Sequence, residues 1–556
     1  MKEAKKSLSR TFGFPVMQFP TSIDRFLNQP FGSIADLVAM HAVSRPRQPA
    51  IVQGAQTLDY AGLDALMDRV ASALQREGLQ PGDAIAICAA TSIAYAAVFL
   101  GALRAGIAVV PLAPSATGES LVKMITDAGV GLLFLDEATA TTFERSHLRV
   151  TAKCIGLGYY AADTSLDAWL ATATMPPRRV DVLSDWPFNL IYSSGTTGVP
   201  KGIVQPHSMR WAHVQRGPVY GYGPDCTTLL STPLYSNTTL VAFFPALGLG
   251  GTIVLMAKFD VAGYLALAEE YKVTHTMLVP VQYQRIMAFP DFHRYDLSSF
   301  RTKLCTSAPF ATRLKAEILA RWPGGLVEYY GLTEGGGTCV LAAHEHPTKL
   351  HTVGRPAPKH DIRLIDEEGR EIARGGIGEV VGHSAGMMTG YHKQPQQTAE
   401  AEWHDTAGKR FIRTGDVARF DADGFLILLE RKKDMIISGG FNVYPSDLEA
   451  VLLEHADVGE VAVIGVPSTR WGETPIAYVV PKSEARLDTG QLLEWANNRL
   501  AKTQRLGAVM VTDNLPRSPI GKVLKRELRD AYHRAAGASD EQDSTSFPTH
   551  ADRANP

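Results

Sequence analysis

The chain reads as an α/β protein with two domains. The larger, N-terminal one is built of several subdomains, helix-covered sheets and a small β-barrel-like sheet, and the smaller, C-terminal one is α+β. Three observations predict this. Apolar runs rich in Ile and Val alternate with helical patterns from Ser33 onward, the texture changes to short strands and turns after Gly376, and strand and helix patterns resume past Arg431. At 556 residues the chain exceeds what one compact core supports.

In chain order, residues 1–30 lack periodicity and read as an extended arm. Helical periodicity over Ile34–Ser44, Leu63–Glu77 and Tyr95–Ala105 is separated by short apolar runs, Ala84–Cys88 and Ala108–Leu112, the signature of βαβ units. Similar runs recur at Gly251–Met256 and Thr274–Val279. Gly378–His383, Asp416–Phe420 and Phe425–Glu430 read as strands of an antiparallel sheet, the last two joined by the turn Asp421–Gly424. A helix is expected over Ser446–His455, with Ser446 as N-cap and Glu449 three residues on. Residues 537–556 are polar and poor in hydrophobes, the composition of a disordered tail.

Net charge is −2, from 55 basic and 57 acidic side chains, which gives no electrostatic case for a nucleic-acid partner. Lys2, Lys5, Lys6 and Arg10 are followed by no apolar run of signal-peptide length, and Gly101, Arg104 and Gly106 interrupt the stretch that comes nearest to a membrane span. Cys88, Cys154, Cys226, Cys305 and Cys339 are scattered without Cys-x-x-Cys spacing, which predicts small core residues in a reducing cytoplasm and no zinc site.

The segment Leu190-Ile-Tyr-Ser-Ser-Gly-Thr-Thr-Gly-Val-Pro-Lys-Gly202 carries the chemistry. A buried strand ending at Tyr192 breaks into Ser193, Ser194, Gly195, Thr196, Thr197 and Gly198, followed by Lys201. The glycines let consecutive N–H groups face one anion, four hydroxyls add hydrogen bonds, and the lysine adds charge. It is a phosphate-holding loop, yet not the NTPase P-loop, because Lys201 is followed by Gly202 rather than Ser or Thr.

This loop closely resembles that of the adenylate-forming superfamily, which comprises acyl-CoA synthetases, amino-acid adenylation domains and luciferases. Further segments resemble the family's in the same order: Tyr329-Tyr-Gly-Leu-Thr-Glu334, Arg413-Thr-Gly-Asp416, Glu430-Arg-Lys-Lys-Asp434, Ser438-Gly-Gly-Phe-Asn-Val-Tyr-Pro445 and Pro516-Arg-Ser-Pro-Ile-Gly-Lys522. The resemblance spans most of residues 30 to 530 and is nearest to the AMP-forming acyl-CoA synthetases. It implies an AMP-binding domain over 1–430, a mobile lid over 431–536 and a hinge at Lys433.

The activity implied is two-step. A carboxylate attacks the α-phosphorus of ATP to give an acyl-adenylate, and the thiol of CoA then displaces AMP. In family terms, the Ser193–Lys201 loop holds phosphates, Thr333 contacts a phosphate, and Glu334, with Thr197 of the loop, serves Mg²⁺. Ser307, Ala308, Pro309, Tyr329, Tyr330 and Gly331 resemble the adenine walls, with Tyr330 offering a stacking face. Asp416 accepts the ribose hydroxyls and Arg431 supports the same ribose. Gly439 and Gly440 let pantetheine pass. Lys522 is the chief catalytic candidate: Pro516 and Pro519 stiffen its loop, and Gly521 lets the ammonium reach the carboxylate and α-phosphate. Its Pro-x-x-x-x-Gly-Lys context also resembles the signal read by protein lysine acetyltransferases.

Two departures from the family pattern stand out. Ser236 occupies the place of a common histidine in Pro233-Leu-Tyr-Ser-Asn-Thr238, leaving Tyr235 as the aromatic gate, and Lys502-Thr-Gln-Arg-Leu506 replaces a usual Lys-Tyr-Lys-x-Pro. The implied acyl pocket takes Tyr235, Ser236, Asn237, Val281, Thr306, Gly335 and Gly336. The glycines suggest room for a ring or a medium chain, and Arg285 falls on a surface pattern. The expectation is a hydrophobic monocarboxylate (aromatic, alicyclic or medium-chain) joined to CoA by a monomer or homodimer. The alternative is a stand-alone adenylation enzyme that loads a carrier protein.

Overall fold

The computed structural model describes residues 21–146, 148–158, 163–171, 175–193, 201–373, 375–432, 434–438, 441–468, 471–482, 487–501, 504–518 and 521–543. The chain forms two compact units. The larger holds residues up to Thr414 together with Arg419–Ile427, and the smaller holds Gly415–Ala418 with Leu428 onward.

Two large sheets organise the larger unit. In the nine-stranded sheet, Pro49–Gln53, Thr252–Leu255, Thr227–Leu230, His275–Leu278, Thr302–Cys305 and Gly325–Tyr330 run parallel in that spatial order, with antiparallel strands at both edges. These parallel strands are short and almost wholly buried, so they read as continuous apolar runs rather than alternating ones. The eight-stranded sheet carries Ala84–Cys88 and Ala108–Leu112, with the bounds expected from their sequence, and the antiparallel pair Pro187–Ser193 and Lys201–Pro206. Between the sheets, helix Asn237–Gly248 is buried on nearly every side, and Phe244 packs on Phe99 and Phe188 at centroid distances of 5.6 and 4.9 Å. A third, antiparallel sheet takes Asp361–Ile365, Gly378–His383, Arg410–Phe420 and Glu402–His404, and Leu426–Arg431 pairs with Arg410–Phe420 as expected for the hairpin around Asp421–Gly424.

In the smaller unit, Val458–Ser468 and Gly472–Pro481 form a long antiparallel pair, flanked by Ile436–Ser438, Phe441–Val443 and the parallel strand Ala508–Val511. Leu448, Leu452, Val463, Val479 and Leu492 fill its core.

Three local expectations are corrected. Within the stretch read as an arm, Thr21–Leu27 is helical, because Ile23 and Leu27 are buried and Phe26 sits edge-on to Trp211. The helix expected from Ser446 begins at Pro445, whose fixed φ suits the first helical position, and Tyr444 is its N-cap. The Ser446 hydroxyl donates to the Leu429 carbonyl instead, and Glu449 accepts from Val463 N at 2.8 Å. The final helix runs from Lys525 to Asp543, into the segment read as disordered; alanines and charged helix formers sustain it without a large apolar face.

Candidate active site

In the nine-stranded sheet the expected site residues follow the carboxyl ends of adjacent parallel strands, the edge where open α/β sheets hold ligands. Tyr235–Asn237 follow Thr227–Leu230, Val281 follows His275–Leu278, Thr306–Pro309 follow Thr302–Cys305, and Gly331–Glu334 follow Gly325–Tyr330. Ser236 caps helix Asn237–Gly248, its hydroxyl accepting from Thr238 N at 3.3 Å, so the serine in the histidine's place has a structural task. The Thr306 hydroxyl donates to the Tyr329 carbonyl at 2.8 Å and ties the two proposed adenine walls together. Tyr330 is buried, while the Tyr329 ring sits edge-on to Tyr220 at 5.3 Å. Ser307 has φ +84°, a left-handed backbone unusual for serine, and its hydroxyl pairs with that of Thr238.

The phosphate segment falls on the connection of a β-hairpin, with Ser193 opposite Lys201 at its open end. Ser194, Gly195, Thr196, Thr197 and Gly198 lie outside the described residues, as do Lys433, Gly439 and Gly440. Lys201 sits over the Tyr391 ring, its ammonium 5.4 Å from the centroid, and the Tyr391 hydroxyl donates to Glu334 Oε1 at 2.9 Å. Burial and the adjacent carboxylate raise the phenol's pKa, so it stays a donor at neutral pH. Tyr391 thus holds together the lysine and the carboxylate singled out by the sequence. Sequence reading missed it, and its one signal was an aromatic beside Gly390, too common to weigh. The Glu334 main chain is also fixed, its carbonyl accepting from Met388 N at 2.8 Å.

The glycines after Glu334 overturn one expectation. A Cβ on Gly335 would lie 2.0 Å from the Gly386 carbonyl oxygen, one on Gly336 2.8 Å from the Gly382 oxygen, and one on Gly337 1.7 Å from Ile362 Cδ1. Neighbouring backbone fills the space at Gly335 and Gly336, and the Ile362 side chain fills it at Gly337, so these glycines add no room to a pocket. Arg285 is exposed, as expected.

On the smaller unit, Asp416 is buried and pairs with Arg431, Nε to Oδ1 at 3.0 Å, so the two proposed ribose residues are adjacent. Lys522 closes a tight turn: its carbonyl accepts from Ser518 N at 2.8 Å, its N–H donates to Ser518 Oγ at 3.1 Å, and Gly521 takes φ +79°. Arg517 donates to the Gly521 carbonyl at 2.7 Å and pairs with Glu460, bracing that turn from behind.

No group of three or more His, Cys, Asp or Glu suited to a metal occurs among the described residues. The donor set fits Mg²⁺ held by few protein ligands, since Mg²⁺ keeps waters and substrate phosphates and needs only one or two carboxylates, here Glu334. Cys88, Cys226, Cys305 and Cys339 are buried, and burial raises the thiols of Cys88 and Cys226 to about 12 and about 11, which makes them inert core residues. No described helix is long and apolar enough to cross a membrane.

The AMP-binding enzyme family model matches residues 38–392, and the AMP-binding enzyme C-terminal domain model matches residues 447–522. A feruloyl-CoA synthase from Amycolatopsis sp is 35% identical, over 88% of this chain and 96% of its own length. A fatty acid–[acyl-carrier-protein] ligase, ScoC, from Streptomyces coeruleorubidus is 31% identical, over 92% of this chain and 98% of its own. The crystal structure of ATP-bound MatB from Rhodopseudomonas palustris superposes with a TM-score of 0.80 at 30% identity, covering 90% of this chain and 99% of that one. The chain therefore belongs to the AMP-binding enzymes, the adenylate-forming superfamily, and stands among its AMP-forming acyl-CoA synthetases.

Proposed function

We propose that this protein is an ATP-dependent acid:CoA ligase that activates a hydrophobic monocarboxylate as its acyl-adenylate and transfers the acyl group to CoA. The observation that carries the reading is the Lys201–Tyr391–Glu334 arrangement beside the phosphate hairpin. It sets a cation near a carboxylate suited to Mg²⁺, and a reaction between two anions requires such positive charge. Lys201 neutralises phosphate charge, Thr333 and Glu334 orient the polyphosphate, and Mg²⁺, when bound, shields its negative charge. Asp416 and Arg431 hold the ribose, and the Lys522 ammonium stabilises charge on the carboxylate and α-phosphate as the acyl–phosphate bond forms and pyrophosphate leaves. The CoA thiol then attacks the acyl carbonyl and AMP departs.

The feruloyl-CoA synthase relative places aromatic acids first in the test, ahead of alicyclic and medium-chain ones. The carrier-protein ligase relative supports a second reading, with the phosphopantetheine thiol of a carrier as acceptor. AMP formation across an acid panel, with CoA or acyl-carrier protein as acceptor, decides between them: CoA-dependent turnover is expected, and carrier-only turnover overturns the first reading. Lys522→Ala is expected to lower acid-dependent pyrophosphate exchange on the order of 100-fold while supplied acyl-AMP and CoA still give thioester at a near-normal rate. Equal loss of both half-reactions overturns that role. Acetylation of Lys522 removes the same charge and gives the same signature.

A further inference from the structure

Under the phosphate hairpin lies a guanidinium that the proposed reaction does not use. Arg210, on helix His207–Arg216, is 0% exposed and lies over the rings of Phe188 and Phe244, at 5.7 and 5.8 Å from their centroids. Its hydrogen-bond acceptors among the described residues include no carboxylate. A buried charge without a counter-ion is expensive and persists only where hydrogen bonds replace its water. Here its acceptors are three amide oxygens. Asn189 Oδ1 takes Nε and Nη2 at 3.3 and 3.2 Å, Asn237 Oδ1 takes Nη2 at 2.8 Å, and Gln205 Oε1 takes Nη2 as well.

Because Arg has donors only, each amide must turn its oxygen inward, which leaves its nitrogen pointing away. For Gln205 the consequence is visible: Nε2 donates to the Thr333 carbonyl at 2.6 Å and reaches Asn237 Oδ1 at 3.4 Å. Asn189 and Gln205 sit on the two strands that carry the phosphate loop, Asn237 opens the helix behind the Tyr235 gate, and Thr333 precedes the carboxylate of Glu334. Arg210 Nη1 and Asn189 Nδ2 are buried without a partner among the described residues, so the cluster has donors in excess. It can hold acceptors such as the Thr333 carbonyl, and gains nothing from another donor.

We infer that Arg210 is a positioning residue that couples the acid-binding segment at Asn237 to the adenylating segment at Thr333–Glu334, with Gln205 as the link. The inference rests on the roles proposed above for those segments. It predicts a division of effects that a merely structural cluster would not give. Gln205→Glu keeps an oxygen on the guanidinium but replaces the N–H facing Thr333 with a second acceptor. Its melting temperature should stay near that of the parent, while kcat for acid-dependent pyrophosphate exchange falls about tenfold and KM for the acid stays within twofold. Asn237→Ala should do the reverse, raising KM for the acid about tenfold with a smaller change in kcat. Because both arms meet on one guanidinium, the double variant should lose less than the product of the two single losses. Arg210→Lys, with fewer donors, should show both defects in weaker form. All are measured on the full chain, together with Mg·ATP affinity by calorimetry, which Gln205→Glu should weaken several-fold. Unchanged kcat and ATP affinity in Gln205→Glu, losses that track melting temperature, or strictly multiplicative losses in the double variant overturn the inference. A parent protein inactive on every acid sinks the ligase reading instead, and the ATP affinities then still decide the role of Arg210.

Discussion

Ser307 shows how a single residue stores strain at the site. A serine at φ +84° costs on the order of 1–3 kcal/mol relative to glycine, and its bond to the Thr238 hydroxyl returns about 1 kcal/mol of that. Ser307→Gly removes the strain and the bond together, whereas Ser307→Ala removes the bond and keeps the strain. Urea denaturation should therefore find the alanine variant less stable than the glycine variant by about 1 kcal/mol or more. Equal midpoints would mean that Ser307 is not strained. The bond also joins the acyl-side helix to the adenine-side loop, a link that no local pattern in the sequence announces. Glu334 and Lys522 could be singled out from the sequence because each stands in a short motif. Tyr391 and Arg210 could not, because the contacts that draw attention to them form only once distant strands and helices meet.

At the scale of elements, buried parallel strands such as Ala84–Cys88 and Ala108–Leu112 were legible to the residue, since burial on both faces leaves an uninterrupted apolar run. Glycines were legible only as glycines. The pair Gly335–Gly336 suggested empty space, and in the fold an added Cβ there would meet backbone oxygens at 2.0 and 2.8 Å. Gly335→Ala should accordingly destabilise well beyond backbone strain, by about 3 kcal/mol or more, since its Cβ would meet the Gly386 oxygen at 2.0 Å. Gly78→Ala, also at positive φ (+89°) but with nothing within 4 Å of the added Cβ, is the control and should cost only about 1 kcal/mol. Comparable losses at the two positions would show that conformation, and not crowding, fixes Gly335.

For the molecule as a whole, burial holds several histidines neutral. His41, His207 and His275 are each lowered to about 4 by desolvation, against 6.5 when exposed. With folded pKa values depressed, the unfolded chain binds protons first as pH falls. Their contribution is intact above about pH 6.5 and is lost toward pH 4, at about 1.4 kcal/mol per pH unit for each histidine. The thermal midpoint of the larger unit should drop steeply between pH 6.5 and 5, and His41→Gln, whose amide can still reach the Gly248 carbonyl, should flatten the profile by one proton's worth. A midpoint indifferent to pH over that interval would show that these rings are not held neutral.

The path of the chain between its two units bears on inheritance. It passes from the larger to the smaller after Thr414, returns after Ala418 and leaves again after Ile427. The strand Gly415–Ala418 is thus a piece of the smaller unit stored inside the sequence of the larger, where Gly415 receives a bond from Lys432 N at 2.8 Å and Asp416 pairs with Arg431. A recombination joint placed at residue 430 would take Asp416 from one parent and Arg431 from the other, although they form one ion pair. Exchange of small domains between relatives therefore stays silent only where both parents agree on the far side of that joint, at the four residues from Gly415 to Ala418.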